Sequence, residues 1–137
     1  MAEHSEFGGL KLKWQRSRAA AKAKKRFWSL DVDKLCEATY AQERCVLSGR
    51  EFVYKKGSPY YPSADRIWSD EDYHIDNVQI VGSIFNIMKN KQNDHDFINH
   101  CRDVVMKSML DRGLDPKNCD LTKEIDVWAY KDCDGEL

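Results

Sequence analysis

The segment from Pro62 to Asn90, PSADRIWSDEDYHIDNVQIVGSIFNIMKN, constrains the fold of this chain more than any other. Two runs with strand character, residues 64–68 and 74–79, flank an acidic turn at residues 69–72. A helix is predicted after them, because apolar side chains then recur at helical spacing. These apolar positions are Val81, Ile84, Phe85 and Met88. We therefore predict a strand–turn–strand–helix unit that can bring an Asp and an Asn together, the minimum for holding one hard divalent cation.

Helices are also predicted before this unit. Residues 10–27 are rich in helix formers, and Leu10, Trp14 and Ala21 form a thin apolar stripe. A second helix begins after a cap at Asp31 or Asp33 and extends to about Arg44. Its inward side chains are expected to be Leu35, Cys36 and Ala38. Residues 45–47 and 51–54 are then predicted to form a small hairpin around Ser48 and Gly49.

A trailing helix follows the unit. Asp94 or Asp96 is expected to cap it, and Gly113 is a typical helix stop. Its inward side chains are expected to be Phe97, Cys101, Val104, Val105 and Met109. The fold class is therefore α+β with flanking helices. We expect a disordered N-terminus (1–9), a basic helical arm (10–29), a domain built on the central unit (30–113) and an acidic C-terminal segment (114–137).

Charge is unevenly distributed, although the net charge is only −1. Residues 11–26 hold eight Lys or Arg and no acid, whereas residues 111–137 hold eight Asp or Glu against four Lys or Arg. A basic helix without local acids is either a solvated surface or a surface for a phosphate backbone. The second interpretation predicts DNA binding by Lys11, Lys13, Arg16, Arg18, Lys22, Lys24, Lys25 and Arg26.

Cysteine usage and hydropathy indicate a cytoplasmic protein. The five cysteines are odd in number and include no CxxC pair, so neither a disulfide framework nor a structural zinc site is expected. No apolar stretch is long enough for a signal sequence or a membrane span, and no membrane partner is expected.

The central part of the chain resembles the HNH, or ββα-metal, endonuclease superfamily. It is similar in particular to the small phage-encoded branch, in which the usual Asp-His is Asp-Arg. The resemblance covers about residues 10–105, and its ordered motifs are Asp65-Arg66-Ile67, Asn77-Val78-Gln79-Ile80-Val81 and Asn86-Ile87-Met88-Lys89. It implies a ββα-metal core, and the cytoplasm would be that of the host cell for a phage-encoded protein.

The resemblance also implies roles for individual residues. Asp65 and Asn86 match the ligands of one metal ion, and Asn77 matches the residue that ties the loop before the helix. Arg66 stands where the family has its general-base His, and Lys89 matches a basic residue that would contact the phosphate. Carboxylate and amide oxygens suit Mg²⁺ or Mn²⁺ better than Zn²⁺.

The identity of the general base is open in this sequence. Arg66 stays protonated at ordinary pH and cannot accept a proton from water, although its planar fork can clamp a phosphate oxygen. His74 is the nearest titratable candidate, at the start of the second predicted strand. A surface role for His74 is the alternative.

We therefore expect a metal-dependent DNA endonuclease, with Asp65, Arg66, His74, Asn77 and Asn86 in its site. A catalytically impaired DNA-binding protein of the same fold is the second hypothesis, and a protein-binding regulator is the third. A homodimer is compatible with the first hypothesis, because a small nuclease with one site can cut both strands as a dimer.

Overall fold

The structure, a computed structural model, describes residues 9–118. Within them it has four helices and one two-stranded antiparallel sheet, which confirms the α+β class. No helix in this range is long and apolar enough to cross a membrane. Most of the predicted disordered N-terminus and acidic C-terminal segment lies outside the described residues. The elements are α1 (Leu10–Ala23), α2 (Val32–Gln42), β1 (Pro62–Arg66), β2 (Val78–Gly82), α3 (Ser83–Lys89) and α4 (Asp94–Asp111).

Helix α1 is docked on the rest of the protein by its apolar stripe. Leu10, Trp14 and Ala21 are all buried, as predicted, and the helix packs against α2. It ends at Ala23, earlier than the predicted residue 27, and Lys25 takes a left-handed conformation with φ of 59°. The basic helix is therefore one wall of the folded core and presents its charged sides outward.

Helix α2 begins and ends through local backbone chemistry. The Asp31 carboxylate caps it by accepting a hydrogen bond from the Lys34 backbone N–H at 3.0 Å. The helix ends at Gln42, two residues before the predicted Arg44, because Glu43 adopts a left-handed conformation with φ of 63°.

The buried face of α2 was predicted in part. Leu35 and Cys36 are buried as expected. Ala38 is exposed, so its predicted inward position was wrong, and Thr39 is buried instead. The Thr39 hydroxyl donates to the Leu35 carbonyl at 2.6 Å, which allows a polar side chain to lie on the apolar face.

The hairpin predicted after α2 is reduced to a single bridge between Arg44 and Glu51. The turn between them is tight: Gly49 has φ of 75°, and the Cys45 N–H donates to the Arg50 carbonyl at 2.8 Å. Residues 52–54 form no further strand pairing in the described structure. Phe52 is buried and anchors this segment to the core instead.

Strands β1 and β2 are antiparallel, with Pro62 opposite Gly82, Asp65 opposite Gln79 and Arg66 opposite Val78. The predicted strands 64–68 and 74–79 were therefore displaced from the observed ones. Residues 67–77 form a longer loop than predicted. The Asn77 side chain binds backbone groups of Trp68 and Asp72, and Tyr73 forms a backbone bridge to Trp28 rather than to β1 or β2.

Helix α3 follows β2 directly and packs against both strands. It begins at Ser83 because Val81, predicted on the helix, belongs to the strand and is fully buried there. Met88 was predicted to face inward but is 50% exposed. Phe85 packs against the hydrophobic core as predicted, and Lys89, four residues later on the same face of α3, is completely buried.

Side chains from two helices cap outward-facing carbonyls on both edges of the two-stranded sheet. Edge carbonyls of this kind would otherwise pair with a third strand. The three pairs are Asn86 Nδ2 with Ala64 O at 3.2 Å, Lys89 Nζ with Arg66 O at 2.9 Å, and Gln42 Nε2 with Ile80 O at 2.8 Å. The first two lie on the β1 edge, and the third lies on the β2 edge, where the Val46 N–H also donates to the Ile80 carbonyl at 3.4 Å.

Helix α4 was predicted to exist, but its capping residue and part of its buried face were predicted wrongly. Asn93 is its cap, rather than Asp94 or Asp96, and accepts a hydrogen bond from the Asp96 N–H at 2.9 Å. The helix ends at Asp111, and Gly113, with φ of 74°, is the predicted stop. Of the predicted inward residues, Phe97 and Met109 are buried, Cys101 is partly buried, and Val104 and Val105 are 71% and 42% exposed. The two valines were thus misassigned, since the middle of α4 faces solvent.

Candidate metal centre and nucleic-acid interface

Asp65 lies near the end of β1 with its carboxylate enclosed by protein. The residue is 2% exposed. Its Oδ2 accepts hydrogen bonds from Lys89 Nζ at 2.6 Å and from Gln79 Nε2 at 2.8 Å. Gln79 is directly opposite Asp65 in the strand register, so the antiparallel pairing itself brings these two side chains together.

Lys89 is the cation of this site. Its Nζ is 2.7 Å from Asp94 Oδ1 and 2.9 Å from the Arg66 carbonyl, in addition to its contact with Asp65. An ammonium group has three donors, and these three oxygens satisfy them, while the Ile67 carbonyl lies farther away at 3.4 Å. The Lys89 side chain is 1% exposed. In this arrangement it contacts protein oxygens rather than solvent, whereas the sequence placed it on the phosphate.

The environment of Asp65 contains opposing electrostatic effects. Burial raises the pKa of the Asp65 carboxyl above its ordinary value, because the charged form loses its hydration. The hydrogen bonds from Lys89 and Gln79 and the charge of Lys89 oppose that rise, while the nearby Asp94 carboxylate adds to it. The ion pair with Lys89 therefore offsets only part of the penalty for burying this carboxylate.

Asn86 lies on the same polar face of α3 as Lys89, one turn earlier. Its Nδ2 donates to Ser63 Oγ at 2.8 Å and to the Ala64 carbonyl. Among the described residues, no hydrogen bond uses its Oδ1. The structure thus lays the face of α3 that carries Asn86 and Lys89 along the strand that carries Asp65.

Arg66 is engaged with the loop that joins the two strands. Its Nη1 donates to the carbonyls of Ser69 at 2.5 Å and Glu71 at 3.1 Å. Its guanidinium carbon lies 5.1 Å from the centre of the Tyr73 ring, in cation–π geometry. Arg66 therefore shapes the loop, and a phosphate would have to share a guanidinium that already has these partners.

Asn77 is completely buried at the end of the same loop. Its Oδ1 accepts from the Trp68 N–H at 2.9 Å, and its Nδ2 donates to the carbonyls of Trp68 and Asp72, each at 3.0 Å. One amide therefore binds three backbone groups of the loop. This is the geometry expected of a residue that ties the loop.

His74 lies on the outer part of this loop, in a turn just before β2. Its side chain is 39% exposed, and its Nε2 is 3.6 Å from Glu71 Oε2. The neighbouring carboxylate can orient the imidazole, as orienting groups do for catalytic bases. The same contact is also compatible with a surface pair of little energetic value.

Two residues of the site were missed in the sequence. Gln79 donates to both Asp65 and Asp94, and Asp94 accepts from Gln79 and Lys89. Gln79 can be recognised as the residue opposite Asp65 only when the length of the loop between the two strands is known. Asp94 was interpreted as a helix cap, because Asp is a common capping residue just before a segment whose apolar side chains recur at helical spacing.

The donor chemistry of the site suits a hard divalent cation. The carboxylates of Asp65 and Asp94 and the amide oxygen of Asn86 are the ligand types that Mg²⁺ and Mn²⁺ prefer. Residues 9–118 contain no group of three or more His, Cys, Asp and Glu side chains in metal-binding proximity. The cation that the two carboxylates hold in this structure is the Lys89 ammonium, at 2.6 Å and 2.7 Å.

Most of the basic residues of the N-terminal region point away from the core. Lys11 pairs with Asp33 at 3.0 Å, and Arg26 lies 3.8 Å from Asp72 and donates to the Asp70 carbonyl. Lys13 is partly buried. Among the basic residues of 11–26, those that are exposed and form no ion pair within residues 9–118 are Arg16, Arg18, Lys22, Lys24 and Lys25.

A groove of about 530 Å³ connects α1 to the side of α3, and Lys13, Arg16 and Lys56 contribute its positive charge. Ile84 and Ile87 form its α3 wall. At about 100° per residue, these two lie on the opposite side of α3 from Asn86 and Lys89. The basic groove and the Asp65 carboxylate are therefore separated by α3.

No protein-family model, no curated protein and no solved structure matches the chain.

Proposed function

We propose that this chain is a metal-dependent DNA endonuclease whose site is the unit formed by β1, β2 and α3. One observation carries the proposal. A buried Asp65 carboxylate on β1 faces the polar side of α3 and already holds a cation, the Lys89 ammonium, at 2.6 Å. A strand carboxylate opposite a helix Asn is the ligand pair that the resemblance to ββα-metal nucleases implies.

In this proposal Asp65 and the Oδ1 of Asn86 hold Mg²⁺ or Mn²⁺. The bound metal would stabilise the charge that develops on the scissile phosphate and its leaving oxygen. Asn86 is suited to its role because both of its hydrogen bonds within the described residues use the amide nitrogen. Asn77 keeps the loop after β1 in place, through its three hydrogen bonds to backbone groups.

The loop supplies the remaining groups. His74 is assigned as the base that accepts the proton of the attacking water, with the Glu71 carboxylate orienting its ring from 3.6 Å. Arg66 is assigned to the phosphate through the guanidinium N–H groups that the loop carbonyls leave unused. The exposed Lys and Arg of α1 supply the sequence-independent attraction to the DNA backbone.

A plasmid-nicking assay tests the proposal. The wild-type protein should nick DNA with Mg²⁺ or Mn²⁺ and not with chelator. Asp65→Asn, which keeps the side-chain volume, should abolish nicking while its circular dichroism stays that of a folded protein. Asp96→Asn is the matched control, because Asp96 is exposed on α4 outside the carboxylate pair. Nicking by Asp65→Asn, or by the wild type with chelator, would refute the site assignment.

A second candidate function is DNA binding without cleavage. Two observations favour it: the Lys89 ammonium fills the cation position of Asp65, and Arg66 cannot accept a proton. This candidate predicts salt-sensitive DNA binding that depends on Arg16 and Arg18, with no nicking under any metal. The third hypothesis, a protein-binding regulator, depends on the acidic C-terminal segment, most of which lies outside the described residues.

A further inference from the structure

Lys89 is placed as a bound cation would be. Its Nζ contacts two carboxylate oxygens at 2.6 Å and 2.7 Å, the Arg66 carbonyl at 2.9 Å and, at the longer distance of 3.4 Å, the Ile67 carbonyl. All four are oxygen donors, the ligand type of hard metal ions. A lysine ammonium is a compact cation on a flexible four-carbon stem, so it can occupy such a position in one state and leave it in another.

An ammonium group and a divalent cation cannot share this position. Both need the same oxygen of Asp65, and two positive charges in contact repel strongly in a water-poor site. Asp94 provides a path to solvent, because its side chain is 30% exposed whereas that of Asp65 is 3% exposed. A cation from solvent can therefore reach the position of the Lys89 ammonium from the side of Asp94.

We propose that Lys89 is an internal competitor of the metal: it neutralises Asp65 in the metal-free protein and leaves Asp65 when a divalent cation binds. The identity of the cation rests on the proposed nuclease function. The competition itself rests on the contacts of Lys89. When it leaves, the ammonium gains access to solvent at the end of α3, where it can meet a phosphate. A purely structural Lys89, which never leaves Asp65, is the opposing interpretation.

The proposal makes Lys89 a reporter of metal binding in the wild-type protein. Amine acetylation followed by mass spectrometry measures its exposure. Without metal, Lys89 should be the most protected lysine of residues 9–118, since its side chain is 1% exposed. With saturating Mn²⁺, its acetylation should become at least about tenfold faster, because the Lys89 amine changes from buried to exposed to solvent. Lys107, exposed on α4, should react at the same rate in both conditions.

Substitution of Lys89 supplies the second measurement. Lys89→Met removes the competitor and keeps an unbranched stem of similar length. Its Mn²⁺ dissociation constant, from calorimetry, should be at least about tenfold lower than that of the wild type. Mn²⁺ should also raise its Tm more than that of the wild type, because the cation restores a partner for Asp65. Lys91→Met, at an exposed position two residues later, is the matched control and should behave as the wild type.

The outcomes separate this proposal from the proposed function. Mn²⁺ binding that speeds Lys89 acetylation in a wild type that does not nick DNA would support the competition and refute the nuclease. Mn²⁺-dependent nicking by a wild type whose Lys89 stays protected would support the nuclease and overturn the competition. The competition is also overturned if no folded form of the protein binds Mn²⁺, whether or not Lys89→Met folds.

Discussion

Replacing Asn77 by alanine removes three hydrogen bonds that hold the loop between β1 and β2. The partners are the N–H and the carbonyl of Trp68 and the carbonyl of Asp72, at 2.9 Å, 3.0 Å and 3.0 Å. Asn77 is completely buried, so water does not replace its side chain without a change in the loop. The loop should therefore loosen, and the protein should lose stability.

The size of the effect follows from these three contacts. A hydrogen bond contributes about 0.5–1.5 kcal/mol net, and a buried group left without a partner costs about 1–3 kcal/mol. Trp68 is 53% exposed, so solvent can reach its backbone groups once the loop opens, which places the estimate near the lower values. Three bonds at about 1 kcal/mol each give a loss of about 2–4 kcal/mol in the free energy of unfolding.

Urea denaturation followed by tryptophan fluorescence measures this loss. With a slope of about 1.5 kcal/mol/M, the midpoint should fall by about 1–3 M. Asn99→Ala is the control, because the hydrogen bond of the Asn99 amide within residues 9–118 goes to His95 on the exposed side of α4, and its cost should stay within about 0.5 kcal/mol. A cost below about 1 kcal/mol for Asn77→Ala would show that Asn77 does not tie the loop.

Three further predictions concern other parts of the molecule. Trp14 is fully buried, and its Nε1 has no partner among the described residues, so Trp14→Phe should change the free energy of unfolding by less than about 1.5 kcal/mol in urea, because the smaller ring also removes an unsatisfied donor. Burial raises the pKa of Tyr54 from near 10 to about 12. The unfolded chain ionises first, so stability that is present below pH 10 is lost as the pH rises towards 12, and Tyr54→Phe should lose less Tm over this range. Replacing both Arg16 and Arg18 by Gln should weaken DNA binding and reduce its log–log salt slope by up to about 2, measured by fluorescence anisotropy. Arg102→Gln, on exposed α4, should leave that slope unchanged.

Much of the helical structure could be predicted, because it depends on local signals. The stripe of Leu10, Trp14 and Ala21 and the stop at Gly113 depend on periodicity and backbone conformation within a few residues. The strand positions could not be predicted in this way. They depend on Asn77, whose hydrogen bonds reach back nine residues to Trp68, and no local propensity reports such a contact.

The sequence predicted several residues of the candidate site, but it did not predict which contacts they make. The motifs identified Asp65, Asn86 and Lys89. In the structure, Asn86 and Lys89 of α3 contact the strand that carries Asp65. It was not predicted that Lys89 would bind Asp65 and Asp94 rather than face solvent. These contacts of Lys89 depend on the length of α3 and on the turn that follows it, because together they bring the start of α4 beside the end of β1.

The capped edges of the sheet have a consequence for assembly. Two strands offer two rows of backbone groups to which another chain could add, and such edges are common routes to aggregation and to dimers that share a sheet. Here Asn86 and Lys89 occupy carbonyls on one row, and Gln42 occupies one on the other. A second copy of the protein could extend this sheet only by displacing those side chains, including one that holds Asp65. An association through helices or loops would avoid this displacement.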